Sequence, residues 1–145
     1  AEKVLIRDGA KNISFEEMSH NLGDQLAIIL KEKSLAIYKK AYAYAFSKKI
    51  IIADTKFEFG ILNDQVILID EIFSPDSSRF WSTDNFHPGE PQDSFDKQYI
   101  RDYLESIHWD KRPPAPSLPK EIIQKTFEKY KQAYLTLVPQ EKVVQ

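Results

Sequence analysis

Between Gln25 and Ser47 apolar side chains recur every three or four positions, and from Ile50 the repeat shortens to two. Those are the periods of a helix and of a strand, so the chain is committed to a long helix followed directly by sheet. Leu26, Ile29, Leu30, Ile37, Tyr38, Ala41, Tyr42 and Ala45 draw the helical stripe, which thins at Lys33-Ser34, where a break would fit. Lys48-Lys49 close the helix at the end where its dipole favours positive charge. Ile50 to Ala53 then reads as a buried strand. From Asp54 to Phe59 charged and apolar residues alternate; Gly60 ends the alternation, Asn63-Asp64 supply turn chemistry, and Val66 to Ile69 is a second strand. The expected fold class is α+β, with antiparallel strands and packed helices.

The flanking segments fit that frame. Val4, Leu5 and Ile6 suggest a short strand ended by Asp8-Gly9. Ser14-Phe15-Glu16-Glu17 is a capping box, which predicts a helix from Phe15 to about Leu22, broken by Gly23-Asp24. Residues 73–93, punctuated by Pro75, Pro88 and Pro91, predict no regular element, and a loop of that length is often functional. Ser94 is expected to cap a helix from Phe95 to Ile107, and Trp109 to Pro119 reads as an extended proline-rich strap. A last helix is expected from Pro119 to Leu137, packing through Ile122, Ile123, Phe127, Tyr130, Tyr134 and Leu137. Residues 138–145, beginning beside Pro139, read as a frayed tail.

Composition removes several kinds of chemistry. There is no cysteine, so thiolate metal sites, disulfides and cysteine nucleophiles are excluded. A net charge of −2 gives no bulk attraction for nucleic acid or anionic lipid. The longest apolar run, Ala41 to Phe46, is too short to span a membrane, and no secretory leader is evident, so a cytoplasmic protein is expected. His20, His87 and His108 stand apart from any zinc spacing, and the four glycines form no phosphate loop.

Two clusters carry chemistry. Asp54, Glu58 and Asp70 place carboxylates on a hairpin, where a core strand should not have them. With a three-residue turn, Asn63 to Gln65, Glu58 falls opposite Asp70, about 5 Å away at Cβ, and the pair calls for a cation such as Mg²⁺. A two-residue turn sets Glu58 against Ile69 and removes the pair, and a strand with one wet face is the ordinary source of such alternation. The second cluster, Asp76-Ser77-Ser78-Arg79 after Pro75, joins two hydroxyls, a guanidinium and turn amides, a good receptor for phosphate or carboxylate. Phe80-Trp81 would anchor it, and Lys97 with Arg101, one helical turn apart after Asp96 and beside Gln98, could meet the same anion.

These residues carry a family resemblance. Asp54-Thr55-Lys56-Phe57-Glu58-Phe59-Gly60 resembles one signature of the SAICAR synthetases, and the run from Ile69-Asp70-Glu71 through Ser77-Ser78-Arg79-Phe80-Trp81 resembles a second. Ser94-Phe95-Asp96-Lys97-Gln98 and Trp109-Asp110-Lys111-Arg112-Pro113-Pro114-Ala115-Pro116 are also similar to that family, so the likeness runs from about Ile13 to Leu137. It implies an ATP-grasp-like fold and an ATP-dependent ligation of L-aspartate to carboxyaminoimidazole ribonucleotide through an acyl phosphate, in purine biosynthesis. It implies Mg²⁺ and ATP phosphates at Glu58 and Asp70, the nucleotide side of the cleft at Asp54 and Lys56, and the ribonucleotide at Ser77, Ser78 and Arg79. Lys97, Gln98 and Arg101 are candidates for the substrate side, and Lys56, Glu58 and Asp70 for the catalytic set. Members of the family are roughly twice this length, and the chain opens on Ala1. The expectation is therefore that residues 1–137 form the C-terminal lobe of a longer enzyme, whose N-terminal ATP-binding lobe is the missing partner. A nucleotide-binding module without catalysis, and an interaction protein whose hairpin charges face water, are the alternatives.

Overall fold

The computed structural model describes residues 12–95 and 97–139. The expected strand at Val4 to Ile6, the tail beyond Pro139, and Asp96 lie outside the described residues. Helices α1 (Phe15–Leu22) and α2 (Asp24–Ser47) lead into strands β1 (Ile50–Thr55), β2 (Glu58–Leu62), β3 (Gln65–Ile69) and β4 (Ser78–Ser82). Helices α3 (Gln98–Ser106) and α4 (Lys120–Leu137) complete the order. The fold is α+β, and both strand pairs, β1 with β4 and β2 with β3, are antiparallel. Among the described residues no helix is long and apolar enough to cross a membrane.

The chain divides into two compact units. One holds residues up to Lys40 together with Phe57–Glu71. Here the Ser14 hydroxyl accepts from the Glu17 amide at 3.1 Å, the capping bond that the sequence predicts. Gly23, at φ 83°, ends α1 with its amide on the Ser19 carbonyl, a backbone state that glycine adopts without strain. α2 continues through Lys33-Ser34 without a break. The β2–β3 hairpin closes on two residues, Asn63 (φ 50°) and Asp64 (φ 58°), so Leu62 pairs with Gln65 and Glu58 with Ile69. The three-residue register is thereby corrected. Asn and Asp tolerate the left-handed conformation that a two-residue hairpin turn requires at both positions, and that turn matches the strand twist. β2 also runs on past Gly60 to Leu62.

The other unit comprises Ala41–Lys56 and Ile72–Gln145. Its buried apolar side chains include Ala45, Ile50, Ile52, Phe80, Phe95 and Ala133. β4 lies within the stretch read as loop: Ser78 and Phe80 turn inward while Arg79 is exposed. Ser94 does not cap α3. It bridges to Trp81, and its hydroxyl and the Phe95 amide both donate to the Phe80 carbonyl, at 3.1 and 2.9 Å. α3 accordingly starts at Gln98, with no side-chain cap. α4 buries Thr126 and Ala133, whereas Ile123, Phe127 and Tyr134 are 53, 59 and 57% exposed. Ile122, Tyr130 and Leu137 of the expected stripe are half-buried on the same face as Thr126 and Ala133, so the inward face is shifted from the stripe by only part of a turn. Tyr44 Oη donates to the Leu137 carbonyl at 2.6 Å and ties the end of α2 to the end of α4.

Candidate functional site: a basic cleft at the β1–β4 ladder

A β-bulge determines which way Asp54 faces. Ile52 pairs with Phe80, but the next pair is Asp54 with Arg79, so Ala53 is an extra residue in β1. Strict alternation would send Asp54 inward behind Ile50 and Ile52. The inserted residue resets the phase, so Asp54 emerges exposed beside Arg79 and Thr55 meets the buried Ser78. An acidic residue in a buried strand thus avoids the cost of burying its charge.

Arg79 Nε donates to one Asp54 carboxylate oxygen at 2.8 Å, and Nη2 donates to the other. That hydrogen bonding is the main reason the Asp54 carboxyl is held below its ordinary pKa. Partial burial opposes the shift, and the charges of Arg79 and, more weakly, Arg101 reinforce it. The turn before β4 is bound by its own serines. Ser74 Oγ accepts from the Asp76 and Ser77 amides, both at 3.2 Å, and Ser77 Oγ accepts from the Ser74 amide at 3.1 Å. Thr55 and Ser78 share a hydrogen bond of 2.8 Å, and the Lys56 amide donates to the Ser77 carbonyl at 3.2 Å. Lys97, at the head of α3, reaches Asp76 at 2.7 Å.

These elements enclose an open cleft of about 200 Å³, lined by Asp54, Thr55, Lys56, Pro75, Asp76, Ser77, Ser78, Arg79, Lys97 and Arg101. Four basic side chains face two carboxylates there, which leaves a surplus of two positive charges. Hydroxyls, amide-rich turn and cations together suit a phosphate or carboxylate group.

Of the residues singled out from the sequence, Asp54, Lys56, Ser77, Ser78, Arg79, Lys97 and Arg101 meet in this cleft. Gln98 does not line it; its amide donates along α3 to Asp102 at 2.7 Å. Glu58 and Asp70 belong to the other unit, at one end of the β2–β3 hairpin. They are not cross-strand partners, because Glu58 sits opposite Ile69. Asp70 leaves the strand at φ 65°, with its carboxylate accepting from the Glu71 amide at 2.9 Å. Among the described residues no cluster of three or more His, Asp or Glu side chains forms a metal cage. Each carboxylate is the kind of hard oxygen donor that Mg²⁺ takes, one or two from protein with water and phosphate filling the shell, but the observed register does not set Glu58 and Asp70 face to face. Ser74 and Thr55 escaped the sequence reading, because isolated hydroxyls in turns and strand ends carry no distinguishing pattern.

A sequence profile described as SAICAR synthetase matches residues 6–116. The phosphoribosylaminoimidazole-succinocarboxamide synthase of Thermodesulfovibrio yellowstonii is 60% identical over 126 residues, which cover 87% of this chain and 43% of that protein. Its namesake from Geotalea uraniireducens is 55% identical over 127 residues, covering 88% of this chain and 43% of that protein. Among solved structures, the Saccharomyces cerevisiae SAICAR synthase complexed with SAICAR superposes with a TM-score of 0.80 at 42% identity, over 88% of this chain and 43% of that one. A SAICAR synthetase from Pyrococcus horikoshii gives 0.56 at 27% identity, over 86% of this chain and 44% of that one. The chain thus spans less than half the length of the relatives it matches. With its motifs, its α+β architecture and the profile match in agreement, the chain belongs to the SAICAR synthetase family.

Proposed function

We propose that this chain is the C-terminal half of an ATP-dependent carboxylate–amine ligase that joins L-aspartate to carboxyaminoimidazole ribonucleotide. The observation that carries the reading is the convergence of Ser77, Ser78, Arg79, Lys56, Lys97 and Arg101 on one cleft with a positive surplus. Carboxyaminoimidazole ribonucleotide bears a phosphate and a carboxylate, and this cleft has donors for such groups.

In this reading Arg79, held by Asp54, orients the acceptor so that its carboxylate oxygen can attack the γ-phosphate of ATP. ADP leaves and an acyl phosphate forms. The unprotonated amine of aspartate then attacks the acyl carbon, phosphate departs, and one of the two amine protons passes to solvent, leaving the amide N–H. Lys56 and Lys97 supply positive charge beside the anionic substrate. Glu58 and Asp70 are the residues that would hold Mg²⁺, which when bound offsets charge on the nucleotide phosphates.

The test is steady-state kinetics on the complete protein that carries this segment. ADP release should require both the ribonucleotide and aspartate. Glu58→Gln should lower kcat by at least about 100-fold, and Arg79→Ala should chiefly raise KM for the ribonucleotide, by about ten-fold or more. Normal turnover in the first variant, or unchanged ribonucleotide kinetics in the second, would overturn these assignments. Tight binding of Mg·ATP with no substrate-dependent ADP release would identify a non-catalytic nucleotide-binding module instead.

A further inference from the structure

We propose that Thr55 is a positioning residue of the cleft: its hydroxyl holds the buried Ser78 and thereby sets the serine turn that presents Ser77 and Arg79 to an anion. The inference rests on the reading of the cleft as a ribonucleotide site.

The argument begins with the burial of Ser78, only 5% of whose surface is exposed. Its hydroxyl has little access to water, and its partners are Thr55 at 2.8 Å and Ser77 at 3.5 Å. The longer contact is the weaker one, so Thr55 provides the main anchor. The neighbouring hydroxyls are already committed. Ser74 Oγ accepts from two amides and shares a hydrogen bond of 3.2 Å with Ser77 Oγ. Ser77 Oγ also accepts from the Ser74 amide, which leaves its own proton for the Ser74 carbonyl at 3.4 Å or for Ser78. Four hydroxyls thus run in a line from the turn to β1, and Thr55 forms its β1 end. The adjacent Lys56 amide, bonded to the Ser77 carbonyl, makes β1 the support for the whole turn.

Replacing Thr55 by valine preserves shape and strand preference and deletes only the hydroxyl. Ser78 then keeps the 3.5 Å contact alone, and the turn loses its side-chain link to β1, retaining only the backbone pairing and the Lys56 amide bond beside the Asp54–Arg79 pair. Serine at the same position restores the hydroxyl without the methyl group.

Initial rates of the complete protein, with ATP and aspartate saturating, test this directly. Thr55→Val should raise KM for the ribonucleotide about five-fold, with kcat lowered no more than about twofold, and Thr55→Ser should recover most of the loss. Ser78→Ala should reproduce the KM shift, and the double variant should add little to either single change, because both remove one bond. An unchanged KM in Thr55→Val, or a serine variant as impaired as the valine one, overturns the proposal. If the wild-type protein shows no ligation, the functional reading fails on its own. Calorimetric titration with ribose 5-phosphate then decides about Thr55, with about five-fold weaker binding by Thr55→Val expected and equal binding overturning the role.

Discussion

Asp54 and Arg79 show how a single pair can serve both the fold and the site. The carboxylate takes two donors from one guanidinium, yet both side chains are about half exposed, at 52 and 50%. Solvent screening at such exposure limits the stabilisation to about 1 kcal/mol. Its pH dependence has a definite sign. Arg79 lowers the Asp54 pKa in the folded state, so below the usual carboxylate range the unfolded chain binds more protons and stability rises with pH. The contribution is complete above the unfolded carboxylate value and disappears as pH falls through the lower folded one. Urea denaturation of wild type and Asp54→Asn should therefore show a gap of about 1 kcal/mol near neutrality that closes toward pH 2. A gap that stayed constant with pH would show that the Asp54 charge is not its source. This pair was legible in the sequence only as two separate candidates, on the nucleotide and ribonucleotide sides. Nothing in local spacing joins residues 25 positions apart.

At the scale of elements, periodicity identified the helices and the hairpin, and failed where contacts distant in sequence decide. β4 was hidden because its partner β1 lies some 25 residues upstream and its ends are serines. Ser94 looked like a cap because serine before an amphipathic run usually is one; the Phe80 carbonyl and the bridge to Trp81 claimed it instead. On α4 half of the hydrophobic stripe, Ile122, Tyr130 and Leu137, turns inward beside the buried Thr126 and Ala133, while Ile123, Phe127 and Tyr134 stay exposed. The hairpin register turned on one residue. Asn63 and Asp64 both adopt positive φ, at 50° and 58°. Glycine reaches that conformation with less strain than aspartate, so Asp64→Gly should stabilise the hairpin by about 0.5 kcal/mol. A higher urea midpoint with an unchanged denaturant slope would bear this out. Destabilisation would mean that the Asp64 side chain contributes more than its backbone state costs.

For the whole molecule, the chain's length relative to its relatives is the governing fact: it covers 43–44% of the relatives and solved structures named above. The glycines bear on what this part can do alone. Gly23 ends α1, Gly60 lies within β2, and Gly89 forms the turn closed by the Glu90 amide on the His87 carbonyl. None of these lines the cleft, so among the described residues no glycine loop wraps a triphosphate there. The cleft supplies charge and hydroxyls suited to one anionic group, whereas phosphoryl transfer also needs the nucleotide held in line. Purified by itself, this chain should release no ADP above background with ribonucleotide and aspartate present, while the complete protein should turn over. Cleft binding and turnover would then separate: ribose 5-phosphate should still bind the isolated chain, and Arg79→Ala should abolish that binding. Turnover by the chain alone would mean that the residues present already hold ATP productively, and the proposal that the nucleotide roof comes from residues outside this chain would be wrong.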